Sequence, residues 1–172
     1  MTSAEILLGA VTLQRVGDLV LARRNTERLL ARGAFEIAPG HYPLIVAVHS
    51  AWLLSLWFFG RDQPLNNIVL LGYIVLQGFR CWVMWTLGSR WTTRIIVLPG
   101  EPLVAKGPYR FVSHPNYVVV TTEIILLPLV LGLPAIAVVF TLLNAVVLTI
   151  RIRAENSALA VARSITVRDA HV

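Results

Sequence analysis

Between Phe111 and Ile150 the chain carries a single charged side chain, Glu123. The stretch from Ile37 to Gly60 carries none, and residues 67–87 carry only Arg80. Inside a bilayer no water is available to the backbone, so each such run must satisfy its own N–H and C=O groups by forming a helix. The whole composition agrees, with 56% apolar and 14% charged residues and a mean hydropathy of +0.71. Soluble domains carry about a quarter charged residues. A chain of 172 residues cannot hide this much apolar surface in one water-soluble core. Disorder is excluded by the same arithmetic. A disulfide scaffold is excluded because Cys81 is the only cysteine. Cys81 itself reads as a small buried residue with no redox partner.

The few charges are not spread evenly. Arg23, Arg24, Arg28 and Arg32 follow the first apolar stretch, and Arg90, Arg94, Lys106 and Arg110 share a central polar loop. Arg151, Arg153, Arg163 and Arg168 share the C-terminal segment, so twelve of the fifteen basic residues lie in three clusters. Lys and Arg favour the cytoplasmic side of a membrane, which places all three clusters there. A nucleic-acid binder would gather its basic residues on one soluble face with base-reading elements between them. This chain has no such face, and no nucleic-acid partner is expected.

Residues 4–22 form a mildly amphipathic first span, in which Arg15 and Asp18 share a helix face and are expected to pair. The positive charges follow this run instead of preceding it, which disfavours a signal peptide. His41-Tyr42-Pro43 marks the interfacial start of a second span near 43–59, and a third runs over about 67–87. These three spans make up residues 1–87.

Residues 88–117 form the one long polar stretch between spans. Pro99-Gly100, Pro102, Gly107-Pro108 and His114-Pro115 forbid a continuous helix there. Its aromatic residues and the β-branched run at 95–97 mark an ordered loop, and long ordered loops are commonly functional. Leu131-Gly132-Leu133-Pro134 then divides residues 118–150 into two apolar segments, 118–131 and 135–150. Each is about 21–24 Å long as a helix, short against a hydrocarbon core of roughly 30 Å. A tight hairpin that starts and ends on the cytoplasmic side fits both length and charge. The segment 151–172 reads as a helix to about Val161 that frays beyond it. The expected fold is therefore one all-α integral membrane domain with about five transmembrane helices. Its N-terminus lies outside, and the central loop and C-terminal helix lie in the cytoplasm.

Much familiar chemistry is missing. The sequence has no glycine-rich phosphate loop, no Cys/His cluster with zinc spacing and no serine-centred elbow. His41, His49, His114 and His171 are scattered, so no metal site is expected. A transporter should show repeated halves and broken midplane helices, and neither is present. Glu123 and Arg80 sit inside apolar helices, where an ionised group is paired or functional. The expectation is that they pair with each other or with Gln77 and Thr122; with His49, they are also candidates for lining a substrate tunnel.

The remaining polar pattern is Gly107-Pro108-Tyr109-Arg110-Phe111-Val112-Ser113-His114-Pro115-Asn116-Tyr117, followed after the hairpin by Arg151-Ile152-Arg153-Ala154-Glu155-Asn156. Taken singly, the first is a turn with an interfacial aromatic belt and the second a charged stop after a span. The hairpin returns the chain to its starting face, so His114, Tyr117, Arg151 and Glu155 can converge. Arg151 and Glu155 are also one helical turn apart.

In this pairing the sequence resembles the isoprenylcysteine carboxyl methyltransferase family of integral membrane enzymes. That family's signature is Arg-His-Pro-x-Tyr, a helical hairpin, then Arg-Ile-x-x-Glu-Glu. Leu87-Gly88-Ser89-Arg90-Trp91-Thr92 and Leu103-Val104 ahead of Gly107-Pro108-Tyr109 also match, so the resemblance covers roughly residues 80–160. Ser113 stands where the motif has arginine, and Asn156 where it has its second glutamate. Arg24-Asn25, Arg32-Gly33-Ala34-Phe35-Glu36 and His41-Tyr42-Pro43 are similar to a bacterial subgroup encoded beside type III polyketide synthases, whose members O-methylate alkylpyrones.

The resemblance implies S-adenosylmethionine as cofactor, with S-adenosylhomocysteine as product. It would be held around Leu103 and Val104, by Tyr109, by His114, Pro115, Asn116 and Tyr117, and by Glu155, while Arg151 positions the substrate. It implies a lipophilic small-molecule acceptor in contact with membrane lipid, a bacterial inner-membrane location and a functional link to a type III polyketide synthase. An alkylpyrone or similar polyketide-derived enol is the leading acceptor. A prenylated cysteine carboxylate and a phospholipid amine stay open as alternatives, and a non-catalytic membrane scaffold is the alternative outside the enzyme class.

Overall fold

The computed structural model describes residues 1–102 and 104–169, with side chains for these except His41 and those from 156 onward. Five long helices alternate in direction. They are α1 (Ser3–Ala31), α2 (Tyr42–Gly60), α3 (Asn67–Leu87), α4 (Pro115–Val130) and α5 (Pro134–Asp169). α2, α3 and α5 are each long and apolar enough to cross a membrane, while α4 is an apolar helix of 16 residues. The chain is an integral membrane protein.

Helix starts follow local chemistry. Thr2 and Glu5 form a reciprocal capping box on α1, with the Thr2 hydroxyl accepting from the Glu5 backbone N–H at 3.0 Å. Asn66 accepts from the backbone N–H groups of Ile68 and Val69 ahead of α3. Prolines open α4 and α5 at the first helical position, where no intrahelical N–H is needed. Gly132, at φ 67°, makes the sharp return between them. Asn66 N–H then donates to the Val130 carbonyl at 2.8 Å, docking the start of α3 on this turn.

Two boundaries differ from the sequence expectation. α1 extends to Ala31, well past the expected end at residue 22, because its last turns carry arginines that remain helical outside the apolar zone. α5 runs unbroken to Asp169, beyond the boundary near Val161. A small antiparallel pairing was also unforeseen: β1 (Phe35–Glu36) pairs with β2 (Ile96–Val97), Phe35 opposite Val97. Cys81 is exposed on α3, not buried.

The core occupies the end of the bundle near the α4–α5 turn. Leu8 and Val11 of α1, Trp52 and Leu56 of α2, and Ile124 and Leu127 of α4 interlock there, each at most 3% exposed. Towards the opposite end, where the central loop lies, the packing opens.

The charges packed between the helices form one network across three of them. Arg80 Nη1 of α3 lies 3.0 Å from Glu123 of α4, and Gln77 donates to the same carboxylate at 2.8 Å. Thr122 takes no part, donating to the Val118 carbonyl of its own helix. The expected Arg15–Asp18 pair does not form. Arg15 instead pairs with Glu123 at 2.9 Å, and Asp18 pairs with Arg80. Two guanidiniums facing a fully buried carboxylate across helices leave Asp18 to neutralise the second charge. Removing any member would strand a charge in a low-dielectric interior.

Candidate active site

The central loop is pinned at several points. Asn25, 2% exposed on α1, donates to the Trp91 carbonyl at 2.8 Å and to that of Gly88 at 3.3 Å. Glu101 is shared between Arg32, the residue just after α1, and Arg90, whose Nη1 also donates to the Pro102 carbonyl at 2.7 Å. Arg94 pairs with Glu36 of β1 at 2.8 Å and stacks over the Tyr42 ring at 4.6 Å. These bonds hold the chain as far as Glu101 and Pro102. Val104 is half-buried there, while Leu103 lies outside the described residues.

The chain then turns through a 3-10 segment, Gly107–Arg110, against the end of α3. Gly107 has φ 56°, and a Cβ on it would stand 2.7 Å from Thr86 Oγ1, so a larger residue would strain the backbone and displace Thr86. This turn sets Tyr109 close to Glu155. Burial first, and then the Glu155 carboxylate, push the Tyr109 phenol up from its ordinary range, so it remains a neutral donor.

Four of the expected residues converge where α4 begins and α5 leaves the membrane. Tyr117 donates to Glu155 and accepts from Arg151 Nε at 2.8 Å. The Arg151 guanidinium lies over the Tyr117 ring at 5.4 Å and donates from Nη1 to the Thr93 carbonyl at 2.7 Å. His114 stacks on Tyr117 with centroids 5.0 Å apart, and its Nδ1 lies 3.8 Å from Glu155. Pro115 is buried as the first residue of α4, and Asn116 is half-buried beside Tyr117. Ser113 is exposed, and the Asn156 side chain lies outside the described residues.

Tyr117 and Arg151 have a second face. With Asn116 they form one wall of a cavity of about 280 Å³ that runs between α1, α2 and α5. Its lining is mainly apolar, from Val16, Leu19, Ile45 and Leu148 among others, and His49, Arg15, Asp18 and Arg80 lie along it. Glu123 does not reach this wall, being fully buried behind Arg15 and Arg80. Thus Arg80 and His49, but not Glu123, stand where a tunnel lining would be.

Two residues without a chemical signal of their own complete the site. Thr93 supplies the carbonyl that holds Arg151, and its hydroxyl lies 3.2 Å from the Tyr42 phenol. Backbone acceptors leave no mark in a sequence, whereas the Tyr42-Pro43 start of α2 could have been read as facing the loop. Among the described residues no group of His, Cys, Asp and Glu could hold a metal ion.

The donor set suits a polar zwitterion bearing a sulfonium. Glu155 offers a carboxylate to hydroxyl or ammonium groups, Tyr109 a neutral phenol, and the His114–Tyr117 pair aromatic faces for a cation.

A model of the isoprenylcysteine carboxyl methyltransferase (ICMT) family matches residues 68–161. The uncharacterized protein YpbQ of Bacillus subtilis (strain 168) is 38% identical over 159 residues, spanning 90% of this chain and 95% of that protein. An uncharacterized protein of Haemophilus influenzae is 25% identical over 165 residues, spanning 92% of this chain and 96% of its own length. No solved structure matches the chain. The matched region holds α3, the pinned loop, the hairpin and the Tyr117–Arg151–Glu155 cluster, and the chain belongs to the isoprenylcysteine carboxyl methyltransferase family of membrane methyltransferases.

Proposed function

We propose that this protein is an S-adenosylmethionine-dependent O-methyltransferase acting on a lipophilic enol, an alkylpyrone or similar polyketide-derived compound. One observation carries the reading: Tyr117 and Arg151 are shared between the polar cluster at Glu155 and the apolar cavity. A polar methyl donor and an oily acceptor need two compartments with a common wall, and this pair provides it.

In this reading the arginine-rich end of the bundle faces the cytosol, where the donor is available. Glu155, Tyr109, the His114–Tyr117 turn and the chain around Leu103 and Val104 hold the donor, which supplies an electrophilic methyl group on a sulfonium. The acceptor enters the cavity from the bilayer. Arg151, held by Thr93 and Tyr117, presents its guanidinium to the acceptor oxygen and stabilises the negative charge that gathers there. Holding both reactants in line and excluding water supply most of the rate, because methyl transfer is a simple displacement. The mainly apolar lining favours a fused-ring or single-ring enol with an alkyl chain over a phospholipid headgroup. A functional link to a type III polyketide synthase follows from that acceptor.

The test is transfer of labelled methyl to a long-chain alkyl hydroxypyrone in membranes containing the protein. Label in the O-methyl product supports the reading. Label found only in phospholipid or in a prenylcysteine probe contradicts the acceptor, and absence of transfer together with absence of S-adenosylhomocysteine binding favours a scaffold.

A further inference from the structure

The cavity wall holds one side chain with acid–base chemistry that the reading above leaves unused. His49 lies about two turns into α2, and its Nδ1 is 2.8 Å from the Ile45 carbonyl oxygen, one turn earlier. A carbonyl can only accept, so Nδ1 carries the hydrogen and the neutral ring keeps its lone pair on Nε2. Nε2 has no hydrogen-bond partner among the described residues, and His49 forms part of the cavity lining.

An acceptor coming from the bilayer brings a proton with it. An ionised group in hydrocarbon is costly, so even an acidic enol reaches the cavity as the neutral hydroxyl. The other ionisable groups along the wall are poorly placed to take that proton. Arg15, Arg80 and Arg151 are permanently protonated. The Asp18 carboxylate is engaged by Arg80. The Tyr42 oxygen is tied to Thr93, and the Tyr117 oxygen to Glu155 and Arg151.

We propose that His49 Nε2 is the proton acceptor of the reaction, taking the hydroxyl proton of a lipophilic acceptor that enters un-ionised. The proposal rests on the methyl-transfer reading. The hydroxyl proton passes first to Nε2, leaving an enolate in the cavity; the enolate oxygen then bonds to the methyl carbon as the carbon–sulfur bond breaks with its electron pair on sulfur. The imidazolium returns the proton to water after the methylated product leaves.

The first test uses cofactor-free, full-length protein in detergent micelles, at a pH where a long-chain alkyl hydroxypyrone is un-ionised in the same micelles alone. Its ultraviolet spectrum should show the enolate band when bound to the unsubstituted protein and the neutral enol band with His49→Gln. With S-adenosylmethionine present, His49→Ala should lower kcat by about a hundredfold. Added imidazole should restore much of that loss, and both variants should bind S-adenosylhomocysteine as the unsubstituted protein does. A neutral enol band with the unsubstituted protein, or a loss that imidazole does not restore, overturns the proposal. Absence of transfer by an unsubstituted protein that binds S-adenosylhomocysteine overturns the acceptor class, and this role with it.

Discussion

Arg151 Nε donates to the phenolic oxygen of Tyr117 over 2.8 Å, joining the last helix to the first turn of α4. The same tyrosine donates to Glu155, so one phenol links a guanidinium on the cavity side to a carboxylate on the loop side. Tyr117→Phe removes both bonds and leaves the ring. A charge-assisted hydrogen bond contributes about 1.5–3 kcal/mol. Methyl transfer and S-adenosylhomocysteine affinity should therefore both fall by at least about tenfold, measured on the same membrane preparation.

Arg151→Lys separates position from charge. Arginine donates to Tyr117 from Nε and to the Thr93 carbonyl from Nη1, two directions that a single ammonium cannot reproduce. The expected result is a fall in kcat/KM of about ten- to a hundredfold, with a much smaller change in S-adenosylhomocysteine affinity. Equal losses in both quantities would remove Arg151 from the acceptor side.

The buried network gives a stability prediction. Glu123→Gln leaves Arg15 and Arg80 facing each other with only Asp18 as counter-charge. Breaking a buried ionic arrangement this way costs about 3–5 kcal/mol. Thermal unfolding in detergent should shift to clearly lower temperature. An unchanged transition would mean that water or lipid headgroups compensate the two guanidiniums.

Gly107 tests the loop. Gly107→Ala adds a Cβ 2.7 Å from Thr86 Oγ1 at a backbone angle that disfavours alanine. Limited proteolysis should cut the 88–114 segment faster, and S-adenosylhomocysteine affinity should drop with it. Thr86→Ala in the same chain should restore part of the loss, since it removes the collision and leaves the backbone strain.

The helices were the most legible part of the sequence. The expected spans 43–59 and 67–87 lie within α2 and match α3, because apolar runs with at most one charge, bounded by Pro and Gly, leave little freedom in their ends. The convergence of His114, Tyr117, Arg151 and Glu155 was legible too, since a short hairpin must bring its two flanks together. Partner choice across helices was not. Arg15 and Asp18 share a face by spacing, yet each bonds to a different helix, because rotation of α1 against α3 and α4 is set by packing. The β1–β2 pairing is two residues long on each side and carries no periodicity to read. The cavity was equally hidden, since its lining is drawn from all five helices and the central loop, a meeting that no local pattern announces.

The central claim is that Glu155, set by Tyr117 at the end of the hairpin, holds the methyl donor. Calorimetric titration of detergent-solubilised protein with S-adenosylhomocysteine tests it most directly. The unsubstituted protein should bind with one-to-one stoichiometry, and Glu155→Ala should weaken binding by at least about tenfold without altering thermal unfolding. Undiminished binding by Glu155→Ala would contradict the account.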